Sequence, residues 1–379
     1  MKIYKKAVLP QGFKANGVSC GLKRSGKLDL ALFYSEPRAK AACKFTANKI
    51  KAAPVQLDSI ILEHSKFFHA LIANSGNANA FCGKAGLRDA REMTRYTAQN
   101  LCLKKEEVLV ASTGIIGKRL DVAKIKKAVP QLIKGLSKHG IDKAKKAIMT
   151  TDTFVKEITV RCFIGGKAVT VCGIAKGAGM IAPNTATMLC FIFTDACITQ
   201  RALESSLGAC VQDSFNCITV DGCMSTNDSV IAFANSASNS RLISGGKDLA
   251  AFSRALGAVC LELAKSIVRD GEGASKFIRI RVKGAASVSE AKRSALSIAN
   301  SNLFKCAMYG SSANIIGRIV AAIGASGVPA QEEGLSIKFS SLKKRDVDIE
   351  VGLGRGKAGA AVYTCDLSPE YVKINAEYN

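Results

Sequence analysis

The sequence predicts an α+β protein built of layers of β-sheet and helix rather than a doubly wound parallel sheet. Two patterns and one connection carry that prediction. Helical steps of three and four alternate along the chain with strands of period two, and at least one adjacent strand pair is joined by a tight hairpin, as a doubly wound parallel sheet would not be. In order, Gly86–Leu101 mixes apolar and charged residues as a helix does. Asp121–Leu136 does the same, with Pro130 expected to kink or split it. Ile158–Ile174 reads as a hairpin: Ile158, Val160, Cys162 and Ile164 alternate with polar positions, and Gly165-Gly166 turns the chain. The run MLCFIF (188–193) reads as a buried strand. Asp248–Val268 is the clearest helix, with Leu249, Phe252, Leu256, Val259, Leu263 and Ile267 on one face. Lys276–Lys283 is a strand with Ile278, Ile280 and Val282 on one side and Arg279, Arg281 and Lys283 on the other. Val347, Ile349 and Val351 repeat that pattern against Asp348 and Glu350. No internal repeat, low-complexity tract or linker stands out.

Composition narrows the function. A chain of 379 residues with 48% apolar content can bury a large core and is not disordered. No run of about 18 apolar residues is present, so no membrane span is expected. The basic N-terminus lacks the apolar core of a signal peptide. The net charge of +24 raises nucleic-acid binding, but the basic residues are dispersed and no aromatic platform accompanies them. Attraction of anionic substrates is the plainer reading. The fourteen cysteines form no C-x-x-C pair and the three histidines sit beside none of them, so no metal is expected. Cys190 and Cys260, inside apolar runs, read as small core residues of a reducing cytoplasm.

Chemistry concentrates in KGAGMIAPNTATMLCFIFTDA, Lys176–Ala196. A Gly-, Pro- and Asn-bearing loop leads to Ala186, then Thr187, then a strand. Read locally, Thr187 is either the first polar residue of a core strand or the nucleophile of a self-cleaving enzyme. In the second case, cutting the Ala186–Thr187 bond places a free α-amine beside the hydroxyl, and that amine serves as its base.

The full run resembles the signature of the ornithine acetyltransferases, the glutamate N-acetyltransferase family of the arginine pathway. The pattern K-G-[SA]-G-M-I-x-P-N-M-A-T-M-L matches from Lys176 to Leu189, with Thr185 in place of the usual Met. The same family order holds in FTANKIKAAPV (45–55), NSGNANA (74–80), STGIIGK (112–118), MTTDT (149–153), DGEGASK (270–276), GRIVAAIGASG (317–327) and INAEY (374–378).

The resemblance implies a DmpA-like self-cleaving fold, with two β layers between helical layers. It implies an α piece, 1–186, and a β piece, 187–379, intertwined as one catalytic unit and assembled as two of each. It implies transfer of acetyl from N2-acetylornithine to glutamate through acetyl-Thr187. No cofactor is implied; acetyl-CoA is a co-substrate only in members with two activities, and the sequence does not separate the types. Thr113 and Gly114 match the family's oxyanion hole. Thr150 (with Thr151 adjacent), Lys176, Glu272 and Asn375 match its substrate contacts. Taken alone, these residues also fit an ordinary turn at Thr113-Gly114, a solvated Lys176, a helix-end turn at Glu272 and a polar terminus at Asn375. The rival readings are an aminopeptidase or amidase of the related fold, with water as acceptor, and a basic binding protein that keeps the fold only. The sequence also departs from the family. DGDTSTND appears as DGCMSTND (221–228), G-x-D-P-N-W-G-R-I appears as GSSANIIGRI (310–319), and a further terminal Thr or Ser contact is expected to be missing or replaced after Asn379.

Overall fold

The computed structural model describes residues 1–183, 188–311 and 314–377. They divide into two compact units. One is built mainly from Met1–Gly177 and Met224–Leu263, the other mainly from Phe215–Cys223 and Ala264–Asn379.

The first unit contains strands β1 (Lys2–Tyr4), β2 (Phe13–Val18), β3 (Leu30–Phe45), β4 (Phe68–Asn74), β5 (Val108–Ser112), β6 (Lys156–Ile164), β7 (Lys167–Lys176), β8 (Leu189–Thr194) and β9 (Ser229–Ala234). They run in the order β1-β6-β7-β8-β9-β3-β4-β5, with β2 on β3. The long strand β3 belongs to both halves. Its first part pairs with β2 and β4, its last part with β9, and the register breaks between Tyr34 and Ala39. The halves face each other across phenylalanines: Phe33 lies 5.3 Å from Phe191 and 5.1 Å from Phe193, and Phe68 lies 6.3 Å from Phe233. Rings at such separations join large buried area to favourable edge and offset contacts.

Helices cover the sheet. α1 (Ala53–His64) and α2 (Gly83–Leu101) pack on β5, α3 (Val122–Lys134) and α4 (Ile141–Ala147) on β2, and α5 (Gln200–Gln212) on β3. α6 (Gly246–Arg269) comes against β7 at Gly173, where an added Cβ would lie 2.5 Å from Val259 and 2.8 Å from Leu263. That close approach requires glycine. β8 therefore lies beneath layers on both faces, and every one of its residues is buried. This is why MLCFIF shows no alternation.

The hairpin turns at Gly165 (φ 55) and Gly166 (φ 80), both in the left-handed region a two-residue turn of this hand needs. Ile164 pairs with Lys167 across it. The expected split at Pro130 does not occur: α3 runs through it as one helix. Pro130 is on the exposed side while Ile125, Val129 and Leu132 face the core. The Lys126 carbonyl that loses its partner can therefore bond water.

The second unit is a four-stranded sheet, β11 (Ser336–Phe339), β12 (Asp346–Gly352), β10 (Phe277–Ala285) and β13 (Ala358–Cys365), in that order. β10 and β12 are parallel, with Ile278 beside Val347 and Arg279 beside Asp348. A parallel pair needs a crossover. The intervening chain supplies it with α7 (Val288–Asn300), α8 (Asn302–Tyr309) and α9 (Ile315–Gly324). Ala291, Ala295, Ile298 and Ile319 bury the apolar face of Ile278, Ile280 and Val282. The opposite face carries the ion pair of Lys283 with Glu350 at 2.8 Å. α10 (Pro369–Ala376) follows β13.

Candidate active site

Ala186 and Thr187 lie outside the described residues, but the groups around them in sequence do not. In the first unit, β7 ends at Lys176, whose side chain is 3% exposed. Its Nζ donates to Thr113 Oγ1 at 3.2 Å. The sequence thus brings together two predicted residues that are 63 positions apart. Accepting a hydrogen bond from an ammonium leaves the Thr113 hydroxyl hydrogen to be donated elsewhere and strengthens that donation.

Gly114 follows with φ 130. A Cβ there would sit 2.5 Å from the Asn77 nitrogen and 2.5 Å from the Gly76 carbonyl carbon, so only glycine fits. Gly114 is half-buried, and its N–H meets no protein acceptor among the described residues. An unmatched N–H beside a polarised hydroxyl is a pair of donors of the kind that receives a developing oxyanion.

The motif NSGNANA proves to be the scaffold of this loop. Asn74 accepts from Ser112 Oγ at 2.6 Å, and its backbone carbonyl accepts from the Thr113 N–H at 3.0 Å. Asn77 Nδ2 donates to the Lys118 and Arg119 carbonyls at 3.0 and 3.2 Å. Buried amides satisfied on several sides fix a loop that has no regular structure of its own.

Asp152 is the counter-charge of the site. Its carboxylate is fully buried, pairs with Lys156 at 2.6 Å and accepts from the Gly177 N–H at 2.7 Å. Burial pushes its pKa up, but Lys156, Lys176 and the Gly177 N–H outweigh that and hold it at about 2. Thr150 donates its backbone N–H to the same carboxylate at 2.9 Å. Thr150 and Asp152 line a cavity of about 620 Å³ rimmed by Lys23, Lys27 and Lys146; Thr151 is not in its wall. Burial, with help from Lys176, lowers the Lys23 pKa to about 8 against the opposing pull of Asp29.

The second unit holds the other predicted pair. Asn375 Nδ2 donates to Glu272 Oε2 at 2.9 Å. The Glu272 carboxylate lies over Gly179, where a Cβ would come within 2.2 Å of it. Gly273 (φ 68) is likewise pressed against another group, here the start of α10, with a Cβ position 2.5 Å from the Tyr371 nitrogen. Asp221, which the sequence reading passed over, accepts from the N–H groups of Met180 at 2.6 Å and Ile181 at 2.9 Å. Tyr371 donates to it at 3.2 Å, and burial followed by the Asp221 charge pushes the Tyr371 pKa well up. Asp152, Asp221, Asn74 and Asn77 carry no spacing signal. Their place in the blocks that carry the family resemblance was the one available clue.

Among the described residues, no His/Cys/Asp/Glu cluster has the makings of a metal site. All fourteen cysteines are unbridged, and Cys190 and Cys260 are fully buried. Among the described residues, no helix is long and apolar enough to cross a membrane.

Comparison with known proteins gives a consistent result. The ArgJ family model matches residues 14–379. The chain is 44% identical to the arginine biosynthesis bifunctional protein ArgJ of Geobacter sulfurreducens, over 97% of this chain and 99% of that one. It is 43% identical to the protein of the same name from Oceanobacillus iheyensis, over 97% and 95%. Among solved structures, ornithine acetyltransferase from Mycobacterium tuberculosis, complexed with ornithine, is 38% identical. That match covers 48% of this chain and 97% of the other, with a TM-score of 0.45.

Proposed function

Because the chain belongs to the ArgJ family, we propose that it moves acetyl from N2-acetylornithine to glutamate through an ester on Thr187, a step of arginine biosynthesis in the cytoplasm. The observation that carries the reading is the buried contact of Lys176 with Thr113 beside the open Gly114 N–H.

The scheme begins with cleavage between Ala186 and Thr187, giving pieces 1–186 and 187–379 that assemble as two of each. The freed α-amine of Thr187 takes the hydroxyl proton as the oxygen attacks the acetyl carbonyl. The oxyanion forms against the Thr113 O–H and the Gly114 N–H. As the intermediate collapses, the C–N bond breaks and the α-ammonium returns its proton to the departing ornithine amine. Glutamate's neutral amine then attacks the ester carbonyl as the Thr187 α-amine takes its proton, and the same donors receive the second oxyanion. The C–O bond to Thr187 breaks, the α-ammonium returns the proton to the Thr187 oxygen, and N-acetylglutamate leaves. Lys176 has three N–H donors, enough to serve Thr113 and a substrate carboxylate together. Thr150 would contact substrate in the basic cavity, and Glu272 with Asn375 would take the substrate ammonium. The relatives' name, bifunctional, supports a second activity, for which the family resemblance suggests acetyl-CoA as donor; no cofactor enters the scheme.

Intact-mass analysis tests this directly. Wild-type protein should appear as two pieces, the second beginning at Thr187, and Thr187→Ala should remain one chain. N2-acetylornithine alone should add one acetyl group to the second piece, and glutamate should remove it. Acetyl lost to water at a rate glutamate does not change would support the amidase alternative. A protein that stays uncut through expression and incubation would leave only a binding role.

A further inference from the structure

The loop Ser225–Asp228 joins two parts of the first unit that the scheme needs in register. Three of its four residues are buried: Ser225 is 3% exposed, Asn227 6% and Asp228 0%, while Thr226 is half-buried. Asn227 Nδ2 donates to the Ser112 carbonyl at 2.9 Å and to the Ala78 carbonyl at 2.6 Å. Ser112 directly precedes Thr113. Asp228 Oδ1 accepts from the Met188 N–H at 3.0 Å. Met188 directly follows Thr187, and its carbonyl in turn accepts from the Ser229 N–H at 3.1 Å. Both ends of the loop are pinned. Thr46 Oγ1 donates to the Ser225 carbonyl at 2.7 Å, and the Thr46 N–H donates to the Asp228 carbonyl at 3.1 Å.

We propose that Asn227 and Asp228 are positioning residues. Asn227 fixes the peptide before Thr113, Asp228 fixes the amide after Thr187, and together they set the distance between oxyanion donors and nucleophile. The assignment rests on the reading above in which Thr187 attacks. It adds two residues whose side chains bond the backbone beside the donors and beside the start of β8. Their side chains are adjacent in sequence, so a shift of one donor loop would carry the start of β8 with it. The Asp228 carboxyl is an acceptor here rather than half of an ion pair: Oδ2 is buried and meets no hydrogen-bond partner among the described residues. Burial also drives this carboxyl toward its neutral form, against the Met188 N–H and Lys176. An amide oxygen should therefore do the same work.

The test compares Asp228→Ala, Asp228→Asn and Asn227→Ala with wild type. Self-cleavage is followed by intact mass, then kcat and KM are measured for acetyl transfer to glutamate on the cleaved protein. A displacement of about 1 Å in such a site costs on the order of 10²-fold. Asp228→Ala and Asn227→Ala should lose about that much in kcat, with KM within about twofold. Cleavage should slow in parallel. Asp228→Asn should recover at least about a third of wild-type kcat, because it keeps an acceptor for the Met188 N–H. If Asp228→Ala is insoluble, Asp228→Ser and Asn227→Ala are held to the same thresholds. An Asp228→Asn variant as poor as Asp228→Ala would overturn the assignment, since the charge itself would then be required. So would alanine variants that raise KM and leave kcat intact. A wild type that forms no acetyl-enzyme defeats the functional reading and this assignment with it; an active wild type with undisturbed variants defeats only the assignment.

Discussion

The cradle under Thr113 and the Glu272–Asn375 pair are built on opposite terms. In the first unit Thr113, Lys176, Asn74, Asn227 and Asp152 are all buried, and each is held by hydrogen bonds or an ion pair from other strands and loops. In the second unit Asn375 is exposed on α10, a helix with no buried residue, and Glu272 is half-buried. Groups that must meet a charge existing only in the transition state profit from being fixed beforehand. In the proposed scheme Glu272 and Asn375 grip two different amino acids in turn, and such groups must also let them go. The difference teaches where each substitution should register: in the cradle on stability and kcat, in the grip on KM.

Removing the cradle's buried charge should have the largest effect. Asp152→Ala leaves the fully buried Lys156 without this carboxylate, and breaking such a pair costs about 3–5 kcal/mol. Urea melts would measure it. The pH dependence has a definite sign. The folded pKa of about 2 lies below the ordinary 3.8, so the carboxylate's contribution is complete above about pH 4 and is lost as pH falls toward 2. Asp152→Asn should flatten the acid limb in that window. An acid limb identical to wild type would remove Asp152 from the cradle.

Next comes Thr113→Ala, which in the proposed scheme deletes one oxyanion donor and should lower kcat by roughly 10²–10³, with KM little changed. Turnover near normal would make Thr113 a structural residue and dissolve the contrast. The smallest effect belongs to the grip. Glu272→Gln keeps an acceptor for Asn375 but loses the charge, and should raise KM for glutamate about tenfold, or about 1.4 kcal/mol, with kcat within about twofold. A fall in kcat instead would place Glu272 with the cradle.

Regular patterns were legible in the sequence. The Ile158–Ile164 alternation, the long α6 stripe and the matched charges of β10 and β12 appear where period two and period 3.6 place them. Those signals are local, set by which face of one element is buried. The ends of β3 in two halves of a sheet were not legible, because pairing with β4 and with β9 is decided by distant partners. Pro130 was over-read: its penalty depends on whether the orphaned carbonyl reaches water, which is a property of the face and not of the residue. At the site, the family blocks pointed to Thr113, Lys176, Glu272 and Asn375, and the fold brings them together as two pairs. The carboxylates that hold the loops stayed hidden. Asp221 reaches Met180 and Asp228 reaches Met188 across about forty residues of chain, and no short-range pattern encodes that reach.

The strand order has a consequence for what a chain break would mean. β8 and β9 are inserted between β7 and β3, joined to each by a ladder of six residue pairs. β7 and β3 precede residue 184 in the chain; β8 and β9 follow residue 187. A nick between them would cut the polypeptide without cutting the sheet. The boundary between the two fragments would be a protein interior, with Phe33 on one side and Phe191 and Phe193 on the other. Such a boundary has the character of an obligate interface, so the fragments could separate only by unfolding.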